Sequence, residues 1–165
     1  MSGDTRLQCV INGKAFDREI DPRLLLVEMI RDVLHLKGTR IGCHTGDCGA
    51  CTLRLGGAVV KSCMILALSA ERQSITTIEG TDDLGAIQAA FVAENGFQCG
   101  FCTTGMVLTA AELLRSNPDP SEAEIRRGLN GNLCRCTGYD GIIAAIRRAA
   151  EGMAASTGVS ITPDA

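Results

Sequence analysis

Eight of the nine cysteines fall into two groups of four, and the first group has the spacing of an iron-sulfur site. The four members of the first group are Cys43, Cys48, Cys51 and Cys63. The pattern C-x4-C-x2-C with a distant fourth cysteine is the plant-type arrangement for a [2Fe-2S] cluster. Such a cluster with four thiolates is dianionic, so burying it requires hydrogen-bond donors directed at sulfur. Gly42, Gly46 and Gly49 fit that need, because residues without Cβ let backbone N–H groups approach closely.

A structural zinc site is the alternative for the first group, since zinc also binds four thiolates in short C-x2-C pairs. A zinc ribbon usually presents two short-spaced pairs on separate turns. The four-residue gap here contains Gly46 and is flanked by Gly42 and Gly49, which favours a loop that wraps two irons. We therefore interpret the first group as cluster ligands.

The second group of four is less specific by spacing. Its members are Cys99, Cys102, Cys134 and Cys136. A C-x2-C pair followed by a C-x-C pair is compatible with zinc, with a redox dithiol or with an iron-sulfur cluster. Spacing alone leaves these three alternatives open.

The ninth cysteine and the two histidines are not assigned to a metal site. Cys9 lies in an alternating strand, where a free cysteine behaves as a small hydrophobic residue, so we expect it in the core. His44 lies inside the first cysteine loop, but a Rieske centre needs two histidines in place of two cysteines, and His35 lacks the matching spacing. We expect both histidines to be structural or to face solvent.

Three basic residues flank the cysteine groups: Lys37, Arg40 and Arg135. Their charges could offset the negative charge of a cluster, and Arg135 is a candidate for tuning it. Isolated basic residues at a surface are more often simply solvated.

Composition excludes several classes of partner. The chain of 165 residues has a formal net charge of -3 and a pI near 5.4, so it offers no basic surface to nucleic acid or to an anionic membrane. Nine cysteines without an apolar signal segment indicate a reducing compartment, where thiols more often bind metal than form disulfides. No apolar run approaches the roughly 20 residues that cross a bilayer. We expect a soluble, cytoplasmic protein.

The first half of the chain has the pattern of strands with one helix. Alternating stretches around Asn12-Gly13 predict a hairpin over residues 6–20, and Gly56-Gly57 predicts a second hairpin. Between them, Asp21-Pro22 predicts the start of a helix that runs to about Leu36. Residues 75–80 should close this half as a strand.

The second half has the periodicity of helices. The predicted helices are one that stops at Asn95-Gly96, one over about residues 104–115, one that begins with a capping box at Ser121 and Glu124, and one over about residues 141–153. The boundary between the halves falls near residues 80–84. Residues 154–165 have the composition of a flexible tail.

Both cysteine groups occur within longer motifs that resemble the iron-sulfur subunit of the xanthine oxidase family of molybdenum hydroxylases, as in carbon monoxide dehydrogenase small subunits. The motifs are GCHTGDCGACT, SC at 62–63, TIEG at 77–80, QCGFCTTGM and GNLCRCTGY. They follow the family's order and spacing, and the resemblance covers residues 5–153. One departure is Thr104, where many members have proline, and this affects only the start of the following helix.

The resemblance implies an α+β fold. A β-grasp domain like that of plant-type ferredoxins would occupy residues 1–81, and a four-helix bundle would occupy residues 82–153. Each domain would bind one [2Fe-2S] cluster through its own four cysteines. By position, Gln98 corresponds to the glutamine that hydrogen-bonds the pterin of the molybdenum cofactor, and Cys136 corresponds to the ligand nearest that pterin.

The resemblance also implies partner subunits. A large subunit would bind molybdopterin, in the cytosine dinucleotide form usual for bacterial relatives, and a medium subunit would bind FAD. Together with this chain they would form a dimer of heterotrimers. Electrons would pass from molybdopterin through the second cluster and then the first cluster to FAD, so neither a catalytic residue nor a substrate pocket is expected here.

Two other functions are compatible with the cysteine pattern. A free-standing ferredoxin would be monomeric and without an apolar docking face, but it has little need of a helical domain that buries a second cluster. An interaction module stabilised by zinc would have no redox role and no colour.

Overall fold

The computed structural model describes residues 3–81 and 84–157, with side chains up to residue 154. Its architecture is mixed α+β. The strands are β1 (Thr5–Ile11), β2 (Lys14–Ile20), β3 (Thr52–Leu55), β4 (Ala58–Lys61) and β5 (Ser74–Thr76). The helices are α1 (Leu26–Glu28), α2 (Gly85–Ala93), α3 (Thr103–Ser116), α4 (Glu122–Gly128) and α5 (Asp140–Thr157).

The strands form one sheet in the order β2-β1-β5-β3-β4. β1 and β2 are antiparallel around Asn12 and Gly13, whose φ values of 49° and 75° suit a tight turn. β3 and β4 are antiparallel around Gly56 and Gly57. Both predicted hairpins are therefore confirmed.

β5 lies between the two hairpins and joins them. It pairs parallel with β1 and antiparallel with β3. The strand predicted over residues 75–80 is shorter than expected, because β5 ends at Thr76 and Ile78–Gly80 forms a 3₁₀ turn.

The first helix begins later than the predicted start at Asp21. The Asp21 carboxylate accepts hydrogen bonds from the backbone N–H and the guanidinium of Arg23, at 2.9 Å and 2.6 Å, and so it closes a local turn. The N–H of Leu26 then bonds to the carbonyl of Ile65 at 2.8 Å, which keeps the preceding chain out of a helix. Tertiary pairing has overridden the local start signal.

The same helix also ends before the predicted Leu36. After α1 the helix widens to the π form over Met29–Val33, where the Leu34 N–H bonds to the Met29 carbonyl at 3.1 Å. His35 has a φ of 59°, which ends the helix.

The second half is helical, as predicted. α2 ends at Ala93, and Asn95 has a φ of 51°, so the predicted stop is confirmed. The capping box is also present: Ser121 N–H donates to the Glu124 carboxylate at 2.8 Å, and Glu124 N–H donates to Ser121 Oγ at 3.4 Å.

α5 continues to Thr157, past the predicted end at residue 153 and into the predicted tail. Alanines at 154 and 155 favour this extension, because alanine has the highest helix propensity. The rest of the predicted tail, 158–165, and two residues at the predicted boundary, 82–83, lie outside the described residues.

Two hydrophobic cores follow the two halves of the chain. Buried side chains of the first core include Leu7, Phe16, Met29, Ile30, Leu53 and Ile75. Those of the second include Phe91, Met106, Leu114, Ile125, Ile142 and Ile146. Cys9 belongs to the first core, as predicted from its place in an alternating strand.

The two halves meet where α3 packs on the first cysteine loop. At Gly105 there is no space for a side chain, because a methyl group would overlap the Gly49 carbonyl oxygen. The Thr104 hydroxyl donates to the Gly38 carbonyl at 3.0 Å. α3 begins at Thr103, so the residue that departs from the family pattern is accommodated and adds a contact between the halves.

Gly105→Ala should destabilise this contact, because the main chain must move to admit a methyl group. Overpacking of this kind costs about 1–3 kcal/mol, so the urea midpoint should fall. Gly85→Ala is the matched control, since it also lies in a helix and a methyl there meets nothing within 4 Å. The urea midpoints of both variants are measured by monitoring unfolding with far-UV circular dichroism. Equal midpoints would contradict the proposed close contact.

Two candidate metal centres

The first cysteine group lies on the loop before β3 and on the turn after β4. Ser62 joins these segments, because its N–H and hydroxyl donate to the Cys51 carbonyl at 3.3 Å and 2.7 Å. Cys51 and Cys63 are buried together against Val27. Cys48 N–H lies 3.4 Å from Cys43 Sγ. The fold therefore brings together residues that are up to 20 positions apart in the chain.

Backbone N–H groups are directed at sulfur in this loop. Thr45 N–H donates to Cys43 Sγ at 3.3 Å, beside the Cys48 N–H. A methyl group on Gly42 would lie 2.8 Å from Cys48 Sγ. Gly46 has a φ of 82°, which favours glycine. These donors and the absence of side-chain bulk fit an anionic cluster, as the glycine pattern predicted.

The pKa values differ within the first group. Hydrogen bonds from the Thr45 side chain and from the backbone of Thr45 and Cys48 lower the pKa of Cys43 to about 6. Burial raises the pKa of Cys51 to about 11. Cys43 is therefore the more readily ionised thiol, and a bound cation would be needed to make Cys51 a thiolate near neutral pH.

The second group comes from two loops, one between α2 and α3 and the other between α4 and α5. Cys136 Sγ lies 3.5 Å from Cys99 Sγ, and both residues are exposed. Cys102 is half-buried and Cys134 is 9% exposed. The helical half thus brings both pairs together, with one edge of the group open.

Neighbouring groups also change the pKa values in the second group. Burial raises the pKa of Cys102 to about 12. Burial acts in the same direction on Cys134, but hydrogen bonds from the Thr137 hydroxyl and nearby N–H groups outweigh it, so the Cys134 pKa is lowered. The backbone N–H of Phe101 lowers the pKa of Cys99.

A hydrogen-bond network surrounds Cys134. Its N–H donates to the Tyr139 hydroxyl at 2.9 Å, and that hydroxyl donates to the Asn132 carbonyl at 3.1 Å. The Thr137 hydroxyl donates to Cys134 Sγ at 3.1 Å. Thr137 and Tyr139 were not predicted as site residues, although their position within CRCTGY was an available signal.

The two cysteine loops are directly bonded to each other. Leu133 N–H donates to the Cys48 carbonyl at 2.9 Å. Gly49 also lies against this loop, where a methyl group would come 2.5 Å from the Gly131 carbonyl. Main-chain atoms at Cys48 and Gly49 therefore contact main-chain atoms near Cys134 of the other group.

Arg40 connects the first cysteine loop, through its side chain, to the other loop of the second group, between α2 and α3. Its guanidinium donates to the Gly100 carbonyl and lies over the Phe101 ring, with 5.5 Å to the ring centroid. Both partners lie between Cys99 and Cys102. Of the flanking cations, Arg40 thus has a defined structural role.

The remaining sequence candidates lie at the surface. Lys37 pairs with Asp32 at 3.0 Å, and both side chains are exposed. Arg135, His35 and His44 are exposed. Gln98 is also exposed and adjoins Cys99 in the chain.

Within residues 3–81 and 84–157, no three or more His, Cys, Asp or Glu side chains are arranged to hold a single metal ion. The assignment of the two groups to clusters therefore depends on the donors around sulfur and on similarity to known proteins. In the same part of the chain, no helix has the length and apolar character to cross a membrane.

Cysteine loops supplied with N–H donors, on a mixed α+β fold, are features of an iron-sulfur protein. A family model described as "[2Fe-2S] binding domain" matches residues 77–147. Two curated relatives extend the similarity over most of the chain. The "Nicotine 6-hydroxylase small subunit" of Paenarthrobacter nicotinovorans is 43% identical over 138 residues, covering 82% of this chain and 84% of the relative. "Caffeine dehydrogenase subunit gamma" of Pseudomonas sp. (strain CBB1) is 45% identical over 147 residues, covering 86% and 88%.

Solved structures agree with these relatives. Quinoline 2-oxidoreductase from Pseudomonas putida 86 matches with a TM-score of 0.86 and 45% identity, covering 96% of this chain and 100% of that chain. The aldehyde oxidoreductase from Desulfovibrio gigas matches with a TM-score of 0.85 and 36% identity, covering 92% of this chain and 17% of that chain. The chain belongs to the iron-sulfur subunits of the xanthine oxidase family of molybdenum hydroxylases. It is one component of an oxidoreductase complex.

In the metal-free protein, Cys43 should be alkylated at lower pH than Cys51. With a pKa of about 6, the Cys43 thiol is deprotonated near neutral pH, whereas the Cys51 thiol with a pKa of about 11 stays protonated. Brief iodoacetamide pulses at increasing pH, read by peptide mass spectrometry, give the two profiles. The Cys43 rate should level off above its pKa.

Thr45→Val is the control for this prediction. It removes the side-chain hydrogen bond that contributes most to the lowered pKa of Cys43, so the Cys43 profile should move to higher pH. Superimposed profiles for Cys43 and Cys51, or no movement in the variant, would contradict the assigned cause.

Proposed function

We propose that this chain carries two [2Fe-2S] clusters and relays electrons from a molybdopterin centre on a large subunit to FAD on a medium subunit. The ligands of the first cluster would be Cys43, Cys48, Cys51 and Cys63. The ligands of the second would be Cys99, Cys102, Cys134 and Cys136. Two bound clusters would supply one-electron steps between two centres that exchange electrons in pairs.

The observation that carries the proposal is the hydrogen bond between the cysteine loops. Leu133 N–H donates to the Cys48 carbonyl at 2.9 Å, and Leu133 is covalently bonded to Cys134. A ligand of one proposed cluster is therefore joined to a ligand of the other through covalent bonds and one hydrogen bond. Arg40 also joins the first cysteine loop to the loop that holds Cys99 and Cys102, through Gly100 and Phe101.

The surface around the second group supports its position next to the large subunit. Cys99 and Cys136 are exposed. Three exposed apolar side chains lie on the same loops: Phe97 at 37%, Phe101 at 46% and Leu133 at 60%. Apolar residues grouped around an open site favour a protein contact over solvent. Gln98, beside Cys99, would then bond the pterin, and Cys136 would be the ligand nearest it.

The opposite end of the relay would be the first group. Met64 follows Cys63 and is 60% exposed, and a methyl group on Gly46 would lie 3.0 Å from its Cγ. This thioether covers the loop with an apolar surface, as expected for a contact with the FAD-bearing subunit. Methionine adapts readily to such contacts because its side chain is unbranched and flexible.

We also propose the domain arrangement that the family implies. Residues 1–81 would form a β-grasp domain, and residues 82–153 would form a four-helix bundle. The separate hydrophobic cores support this division. Names such as "subunit gamma" among the relatives support assembly with other chains. We propose a dimer of heterotrimers in the cytoplasm, with molybdopterin as its cytosine dinucleotide.

A free-standing ferredoxin is the second candidate function. The exposed apolar residues around Cys99 and Cys136 disfavour it, since a diffusible carrier has no need of them. The sulfur-directed N–H donors at Cys43 likewise favour a cluster over a zinc module, because they stabilise the negative charge of bound sulfide and thiolate.

Anaerobically purified protein should contain four irons and four acid-labile sulfides per chain, as two [2Fe-2S] clusters require. After reduction it should give two distinguishable EPR signals. Cys43→Ala should abolish one signal and Cys136→Ala the other, because each removes one proposed ligand. Cys9→Ala is the control: it removes a buried cysteine outside both groups, so both signals should remain.

Two irons and one zinc per chain would reduce the proposal to a single cluster, and absence of iron would overturn it. Loss of both signals in each ligand variant would show that the two groups do not form separate sites.

An affinity-tagged copy of the full chain, recovered from cells that produce the complete complex, should bring with it equal amounts of molybdenum and flavin. This follows from the proposed partners, because this chain would bridge them. Replacing the exposed Phe97 and Leu133 by serine should lower the recovered molybdenum by removing apolar contact area. Serine at exposed Val92, on helix α2, is the control. A monomeric chain without molybdenum or flavin would support the ferredoxin alternative.

A further inference from the structure

Thr137 makes a hydrogen bond to sulfur that the proposed relay does not itself require. Its Oγ1 lies 3.1 Å from Cys134 Sγ. It also lies 3.1 Å from the backbone nitrogen of Tyr139. The hydroxyl is thus held between one nitrogen donor and one sulfur atom.

The direction of these bonds follows from the chemistry of the three groups. The Tyr139 N–H can only donate, so it uses a lone pair of Thr137 Oγ1. A ligating thiolate can only accept, so the Thr137 O–H must point to Cys134 Sγ. The main chain of Tyr139 therefore orients the hydroxyl toward the sulfur.

The surroundings make this donor effective. Cys134 is 9% exposed, the lowest value in its group, so water competes little for its sulfur. Tyr139 is held in turn, because its hydroxyl accepts from Cys134 N–H and donates to the Asn132 carbonyl. The donor, its orienting residue and the sulfur form one closed set of hydrogen bonds.

We propose that Thr137 is a positioning residue that raises the reduction potential of the second cluster through its hydrogen bond to Cys134. This inference rests on the proposed function, since it requires a cluster on the second cysteine group. One-electron reduction adds one negative charge to a cluster and its thiolates. An O–H donor stabilises that added charge, so the reduced form gains more from the hydrogen bond than the oxidised form.

The consequence is a bias in where an electron resides. A higher potential at the second cluster favours transfer of an electron from the large subunit to this cluster. The electron then resides next to the Leu133–Cys48 hydrogen bond that leads to the first loop. A single neutral donor should shift this equilibrium about threefold to tenfold, where tenfold is about 59 mV for one electron.

The test is an EPR-monitored redox titration with dithionite on the full chain carrying its clusters. Thr137→Val removes the donor with little change in shape and should lower the potential of one signal, the one lost in Cys136→Ala. Thr137→Ser keeps the donor and should restore the wild-type potential. Thr103→Val is the matched control: Thr103 follows the ligand Cys102, and within the described residues its buried hydroxyl has no hydrogen-bond partner. The potential of the second signal should not change in Thr103→Val.

The inference would be overturned if the potential of the second signal were unchanged in Thr137→Val, or shifted equally in Thr103→Val. In either case two signals in the wild type would leave the proposed function intact. A wild type without the second signal would overturn both. If Thr137→Val does not retain the second signal, Thr137→Ala removes the same donor and takes its place. Loss of the signal in both, with retention in Thr137→Ser, would overturn tuning in favour of a purely structural role.

Discussion

The hydrogen bonds from N–H and O–H groups to cysteine sulfur are the interaction on which the rest of this structure depends. Negative charge on sulfur is stabilised where such donors are directed at it. In the first loop these donors are the backbone N–H groups of Thr45 and Cys48, and glycines keep side chains out of their way. In the second, the Thr137 hydroxyl contributes as well.

Close approach of main-chain atoms also characterises the contact between the two halves. Each half has its own core, so each can be stabilised by burial of its own apolar side chains. Part of their contact is of another kind, with Gly105 against the Gly49 carbonyl and Leu133 N–H bonded to Cys48. At these two points main-chain atoms meet without intervening side chains, which brings the two cysteine groups close together.

Much of this arrangement could be predicted from local sequence. The hairpin at Asn12-Gly13 and the capping box at Ser121 depend on residues within a few positions, and both are present. The helix predicted from Asp21 was wrong at its start, because Leu26 pairs with distant Ile65. The cysteine groups were identified from spacing and family motifs, but the Leu133–Cys48 hydrogen bond joins positions 85 apart, which no local pattern predicts.

The bond from Leu133 to Cys48 uses only main-chain atoms, and this leaves the Leu133 side chain, which is 60% exposed, without a part in it. Replacing the side chain at position 133 should therefore change the exposed surface and leave this hydrogen bond intact. Proline is the exception, because it lacks the N–H. The two parts of this residue thus act independently: the side chain shapes the surface, and the N–H links the two halves.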